Sequence, residues 1–342
     1  AQRYILGGKF DYKMPFLPEL KATLNLGMDY FTSEGDDVVN PLASWSEREP
    51  AQNIKHYEQT RKNNLLDFYV NYGKTFGGDH KLDVTGGYSY QHFHVSGNDS
   101  NRSWDETDAG ADTVAYKREY YLLSFFGRMN YTLKDKYLVT ATLRNDRSSR
   151  FGEETRSGVF PAVAVAWKLN EEGFLNGADF LSELKIRAGW GQTGQQDIGD
   201  DNKSFYPYIP TYTGSQQGAY YQFGNSFYAT QRPNPYDANI KWETTTTQNI
   251  GVDFGFLNGR VSGSVDLYKR ETEDLINEIP IAAGSNFSNF LITNVGNMEN
   301  KGVEVALTGA IISTPDLSWE VSGNLTYNVN EITKLTQIDD PS

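Results

Sequence analysis

The chain has no cysteine in its 342 residues. Disulfide staples and thiol chemistry are therefore excluded. It also lacks any excess of positive charge: 31 Lys and Arg against 44 Asp and Glu leave a formal net charge of −13. A nucleic-acid partner, which wants a basic face, is not expected. Long apolar runs are missing too. No stretch approaches the roughly 18–20 apolar residues that a membrane-crossing helix needs. The segment 158–169, among the most apolar, reads as a strand. Signs of catalysis are sparse. There is no G-x-S-x-G elbow, and no carboxylate is set apart as an acid opposite a base. The pairs Gly77-Gly78 and Gly86-Gly87 suit turns and strands rather than a phosphate cradle. The chain opens at Ala1 without Met and stops at Asp340-Pro341-Ser342, which reads as an internal piece of something longer.

What the sequence does have is alternation. In 136–145, Tyr137, Val139, Ala141 and Leu143 fall on one face, with Leu138, Thr140, Thr142 and Arg144 on the other. In 260–270, Val261, Gly263, Val265 and Leu267 oppose Ser262, Ser264, Asp266 and Tyr268. A period of two is the mark of a strand with one oily and one wet face. About a dozen such stretches follow one another. Hydrophobic residues make up only 38% of the chain, which suits a wall that shows lipid every second residue. Aromatics reach 14%, with 22 Tyr and 19 Phe, as expected of rings seated at a lipid–water boundary.

The connections alternate as well. Met14–Pro18, Gly77–His80, Lys134–Lys136, Asn258-Gly259 and Ser313–Asp316 are short turns, and Asn-Gly tolerates the positive φ that a tight hairpin requires. Asn170–Leu181 is the longest connection on that side and has room for a helical turn. Between these lie long polar segments at about 32–56, 97–116, 146–157, 194–242 and 275–297. Short turns on one side and long loops on the other define an antiparallel transmembrane β-barrel. Polar groups on the wet face, such as Thr85, Ser124, Asn130, Thr140, Thr142, Ser264 and Thr326, would line its interior, together with charged Lys185, Arg187, Asp253, Asp266 and Glu304. A soluble sandwich or propeller is the competing fold. It would need a second layer over each apolar face, and its loops would not all lengthen on one side.

Particular motifs then point to a family. Leu143-Arg144-Asn145-Asp146-Arg147-Ser148-Ser149-Arg150-Phe151-Gly152 is followed by Phe160-Pro161-Ala162-Val163-Ala164-Val165-Ala166-Trp167. Next come Leu184–Gln195 (LKIRAGWGQTGQ), Trp242-Glu243-Thr244 with Gln248–Asp253, and Asn294–Glu304 (NVGNMENKGVE). These five segments, in this order, resemble the SusC/RagA family of TonB-dependent outer-membrane transporters. The resemblance implies that residues 1–342 are about twelve strands of a 22-stranded, plugged barrel. The plug, the N-terminal domain and the closing strands would lie outside this sequence. It further implies a Gram-negative outer membrane and a SusD-like surface lipoprotein as lid. Energy would come from TonB–ExbB–ExbD, acting through the plug. The cargo would be an oligosaccharide or, in some members, a peptide. A barrel hydrolase and a passive pore or adhesin are the rival readings. No cofactor and no metal site is expected.

Candidate contact residues fall in the outer loops. Arg144, Arg147 and Arg150 cluster with Asp146 where a strand would leave the membrane, either to meet ligand or lid or to hold neighbouring strands by ion pairs. The segment 193–240 is rich in aromatics, among them Tyr206, Tyr208, Tyr212, Tyr220 and Tyr221. Such rings stack on sugars and serve as interface anchors, or pack on one another to fold the loop. Trp104 sits among Asp99, Asp105, Glu106, Asp108 and Asp112, a set without the spacing of a calcium loop. His92 and His94 share a strand face with Tyr88 and Tyr90, and read as interfacial residues above an aromatic belt rather than as metal ligands.

Overall fold

Alternating strands that cannot bury their apolar face in a compact core must pair edge to edge and present that face to something other than water. The computed structural model describes residues 1–38, 54–102, 112–175, 177–198, 205–214, 220–282 and 290–335. Their strands are β1 (Gln2–Met14), β2 (Leu17–Val38), β3 (Ile54–Phe76), β4 (His80–Arg102), β5 (Asp112–Leu133), β6 (Tyr137–Ser148), β7 (Ser157–Lys168), β8 (Leu181–Gln195), β9 (Tyr212–Gly214), β10 (Tyr220–Phe223), β11 (Ser226–Ala229), β12 (Gln231–Pro233), β13 (Glu243–Phe256), β14 (Val261–Glu273), β15 (Ile276–Pro280), β16 (Phe290–Asn294), β17 (Asn297–Ser313) and β18 (Ser318–Lys334).

Twelve of them form one antiparallel sheet, in the order β1–β8, β13, β14, β17, β18. Every neighbour in the sheet is the next long strand in sequence, so the meander never crosses over. The remaining six pair as three small hairpins in the long connections. Among the described residues the sheet is open, with β1 and β18 at its two edges. No helix among the described residues is long and apolar enough to cross a membrane.

Register carries one apolar face across the sheet. On β1 to β5 it runs through Phe10, Leu24, Phe68, Tyr88 and Phe125. On β13 to β18 it runs through Ile250, Leu267, Val303 and Tyr327. Most of these side chains remain exposed within the chain, Phe10 at 62% and Tyr327 at 68% among them, and Leu24, Tyr88 and Val303 are half-buried. Among the described residues no second layer of protein covers them, as a sandwich would require. Aromatic rings bound the face at both margins. Tyr4–Tyr30 and Tyr90–Tyr121 contact one another at the loop side, Tyr137–Trp167 at the turn side. Glu172, in the connection with 3-10 turns at Leu169–Glu171 and Gly173–Leu175, accepts hydrogen bonds from Tyr137 Oη (2.6 Å) and Trp167 Nε1 (3.1 Å). The rings thus keep an apolar body in the band and a polar tip outside it.

The turns behave as their sequences require. Asn258 and Gly259 take φ of 57° and 80°, and Lys134 and Asp135 take 53° and 54°. The loop boundaries differ from the sequence reading. Strands β2, β3, β4 and β5 continue well into 32–56 and 97–116, reaching 22 or 23 residues each. Only about 9–11 are needed to cross a bilayer, so these strands project outward as ribbons. Polar sequence did not mark their ends, because a strand paired on both sides in water needs no apolar face.

Candidate outer-mouth contact surface

The polar face opposite the band is knitted by side chains. Asn71 donates to Asp83 and Thr85 at 2.9 Å, and Thr140 donates to Asn130 at 2.9 Å. Further round, the Arg187 guanidinium lies between Asp253 (2.9 Å) and Asp266 (2.8 Å), with Lys185 3.0 Å from Asp253. Four charged groups at mid-wall are tolerated because each meets its opposite and the face is solvated.

At the loop end of this face the chain builds a small core. Phe151, Phe160, Ile240 and Trp242 are buried together, with Leu122, Tyr208, Ile276 and Ile292 packed around them. Trp242 meets Phe151 at 5.4 Å and Phe160 at 5.6 Å between ring centroids. Its indole N–H donates to the Arg156 carbonyl at 3.0 Å, and Thr155 Oγ1 donates to the Ile240 carbonyl at 2.7 Å. Gly152 permits the approach, since a Cβ there would lie 3.2 Å from the Ala238 carbonyl oxygen. Asn294 secures the far side, accepting from the Lys241 N–H and donating to the Lys241 and Asp274 carbonyls.

The three arginines part company. Arg144 turns inward, donating to Asp146 (2.6 Å) and Ser124 (2.8 Å). Arg150 is 7% exposed, its guanidinium 4.1 Å from the Tyr120 ring centroid and 4.8 Å from that of Phe205. It reaches the Gln196 carbonyl and Asp197 at 3.4 Å. Arg147 lies in the opposite strand phase, on the apolar side above the band, and is exposed. The motif is thus mainly a clamp for strands and loop, with Arg147 left outward.

The tyrosines divide too. The Tyr206 hydroxyl donates to the Glu119 carbonyl, and burial is the first cause raising its pKa. Tyr206 and Tyr208 meet edge-on at 6.3 Å. Tyr212, Tyr220 and Tyr221 are instead 66%, 52% and 64% exposed, on the hairpins β9–β12 and β10–β11. Phe223, Phe227 and Tyr228 accompany them at 72%, 65% and 58%. Trp104 and the carboxylates Asp105, Glu106 and Asp108 lie outside the described residues. Asp99 belongs to β4 and pairs with Lys55 at 3.1 Å. Where Asn294 holds Lys241, a polar cleft of about 910 Å³ is lined by Tyr236, Asp237, Lys241, Glu273, Asp274, Thr293, Asn294 and Lys334. Sequence reading missed this cleft and Phe205. Both are made by segments brought together across the sheet, with no local spacing to announce them.

A one-layer antiparallel wall with an apolar outer band, two aromatic margins and a polar inner face is the wall of an outer-membrane β-barrel. The chain belongs to the family described as TonB dependent receptor-like, beta-barrel, whose profile matches residues 2–341. Among curated proteins it is 42% identical to the TonB-dependent receptor SusC of Bacteroides thetaiotaomicron, over 96% of this chain and 33% of that protein. It is 32% identical to the TonB-dependent receptor P39 of Formosa agariphila, over 96% of this chain and 32% of that one. The chain therefore spans about a third of the length of these relatives. Among solved structures, the RagAB peptide importer in its closed-closed state superposes with a TM-score of 0.81 at 23% identity, over 98% of this chain and 36% of that one. The copper transporter OprC superposes at 0.61 with 13% identity, over 97% and 46%. The SusC/RagA likeness, the barrel fold and the outer-membrane location of a Gram-negative cell stand on these findings.

Proposed function

We propose that this chain is the wall and outer mouth of an importer that moves oligosaccharides across the outer membrane. A SusD-like lipoprotein closes it from outside, and TonB–ExbB–ExbD drives it through a plug carried elsewhere in the full-length protein, as are the N-terminal domain and the closing strands. The reading rests above all on the exposed aromatic hairpins at Tyr212 and Tyr220–Tyr221, carried by the same outer connection whose Ile240 and Trp242 are buried in the small core. Rings exposed on a well-anchored base can stack on sugar faces or meet a lid at low entropic cost. Kinship with SusC along nearly the whole wall supports it. A peptide cargo is the second reading, favoured by the fold shared with the RagAB peptide importer. We assign no reaction to the chain; its relatives are receptors by name.

The test is deletion of the full-length gene in its native host and restoration with wild type or Tyr220→Ala/Tyr221→Ala. Uptake of labelled oligosaccharides and of peptides is measured, with capture of the co-purifying lipoprotein. Loss of oligosaccharide uptake on deletion, and dependence on TonB, are expected. Uptake that continues without TonB would instead mark a passive pore, and selective loss of peptide uptake would replace the cargo.

A further inference from the structure

Just above the apolar band, three side chains from two strands converge on the outward face. The band ends at Leu66, Tyr90 and Leu123; one step further along the ladder are Asn64, His92 and Tyr121, and after them Lys62, His94 and Glu119. His92 and His94 point the same way because they alternate on β4, and Glu119 is the register partner of His94 on β5. His92 Nε2 is 3.1 Å from Glu119 Oε2, and His94 Nδ1 is 3.4 Å from the same oxygen. One ligand atom from each residue lies within 4.8 Å of the others.

Those separations suit a metal ion. Bonds of about 2.0–2.1 Å at a tetrahedral angle set ligand atoms roughly 3.3 Å apart. The side chains are 18%, 21% and 30% exposed, so they are ordered but reachable. The His92 ring lies flat on Tyr121, 4.4 Å between centroids and 5° between planes, which fixes its direction. As metal ligands the carboxyl would be ionised and both imidazoles neutral. Lys117 is the direct competitor, 3.2 Å from Glu119 Oε1, but its side chain is 62% exposed and can swing into water.

We propose that His92, His94 and Glu119 form a Zn²⁺ site on the outer wall of the barrel, immediately above the lipid boundary, with its fourth position open to water. Two imidazoles and one carboxylate suit Zn²⁺ and disfavour Ca²⁺, which prefers six to eight oxygen ligands. The ion would staple β4 to β5 at the residue whose carbonyl receives Tyr206, and so stiffen the ledge on which the outer loop rests.

The experiment uses the full-length protein in detergent, stripped with chelator and titrated with Zn²⁺ by calorimetry. Wild type should take up one equivalent more than His92→Ala/His94→Ala, and its melting temperature should rise with Zn²⁺ by an increment the variant lacks. Glu119→Gln, which keeps the side-chain shape, should bind at least about tenfold more weakly, a loss no smaller than that for an outer partner of a metal ligand. Ca²⁺ should not compete. Equal Zn²⁺ stoichiometry in wild type and the double-histidine variant, both folded by circular dichroism, overturns the site. So does undiminished affinity in Glu119→Gln, which would leave the cluster as two imidazole N–H groups sharing one carboxylate.

Discussion

The two halves of the outer connection between β8 and β13 share a composition and do opposite things. Residues 205–208 and 236–242 are drawn down onto the inner face, where Ile240 is fully buried and Trp242 7% exposed. The hairpins at 212–214 and 220–233 carry six rings to the other half's five and leave them in water, Phe223 at 72%. The difference lies in what each half finds to pack against. The first meets Phe151 in the turn between β6 and β7, and Phe160 and Leu122 on the strands below; the second meets mainly its own backbone ladder of three or four residue pairs. A two-stranded hairpin alone is marginally stable. Rings exposed on one are therefore poor candidates for folding and good ones for contact.

Trp242→Ala should break this contrast most severely. Removing a buried indole costs about 3–5 kcal/mol, here confined to the outer mouth because the strands below pair independently. The expected outcome is protease cleavage within 196–242 while the barrel keeps its heat-resistant mobility on gels. A barrel that unfolds globally would show that the small core supports the whole wall. On the other half, Tyr220→Ala/Tyr221→Ala should leave stability within about 0.5 kcal/mol, as for surface positions elsewhere. Affinity for the lipoprotein or sugar should fall by about 2 kcal/mol, the size of an interface anchor. Undiminished binding would move the contact surface away from these hairpins.

Much of this was readable in the chain. The period of two, the Asn258-Gly259 turn and the unbroken alternation of short and long connections yield twelve strands in their order, because local chemistry dictates them. The inner-face assignments of Thr85, Ser124, Asn130 and Thr140 follow, since a one-residue slip would turn every side chain over. What could not be read depends on distance in sequence. Tyr206 and Tyr221 look alike as letters; only the docking of 205–208 against Tyr120 and Glu119 tells them apart. Arg147 and Arg150 are three residues apart, yet one lies outside the wall and the other within an aromatic slot, because the chain turns between them. Glu119 completes the His92–His94 cluster from 25 residues away, which no spacing rule would pick out.

Arg150 sharpens the comparison at intermediate scale, since it ties the anchored half to the wall. Its planar group lies against Tyr120 and Phe205 together, and a desolvated cation–π contact is worth about 2 kcal/mol. Arg150→Lys keeps the charge and loses the plane, so it should loosen 205–208 by about 1–2 kcal/mol. Amide hydrogen exchange in that segment should quicken, with no change at 220–229. Equal quickening in both would mean that the two halves move as one unit.

Glu243, where the anchored half enters β13, carries the smallest expected effect. Burial raises its pKa above the ordinary 4.5, only partly offset by the hydrogen bond its carboxylate accepts from the Ile276 N–H at 3.3 Å. Between the ordinary and the raised value the folded state holds more proton than the unfolded one. Stability from this residue is therefore greatest below the ordinary value, falls as pH rises through the raised one, and stays low at neutral pH. Glu243→Gln keeps an acceptor for Ile276 and has no charge to desolvate. It should slow hydrogen exchange at 240–243 at pH 7, by less than the change Arg150→Lys produces, and match wild type below pH 4.5. Faster exchange at pH 7 would mean that the charge itself holds the segment down, and that the anchored half is secured by an ion partner rather than by its buried rings.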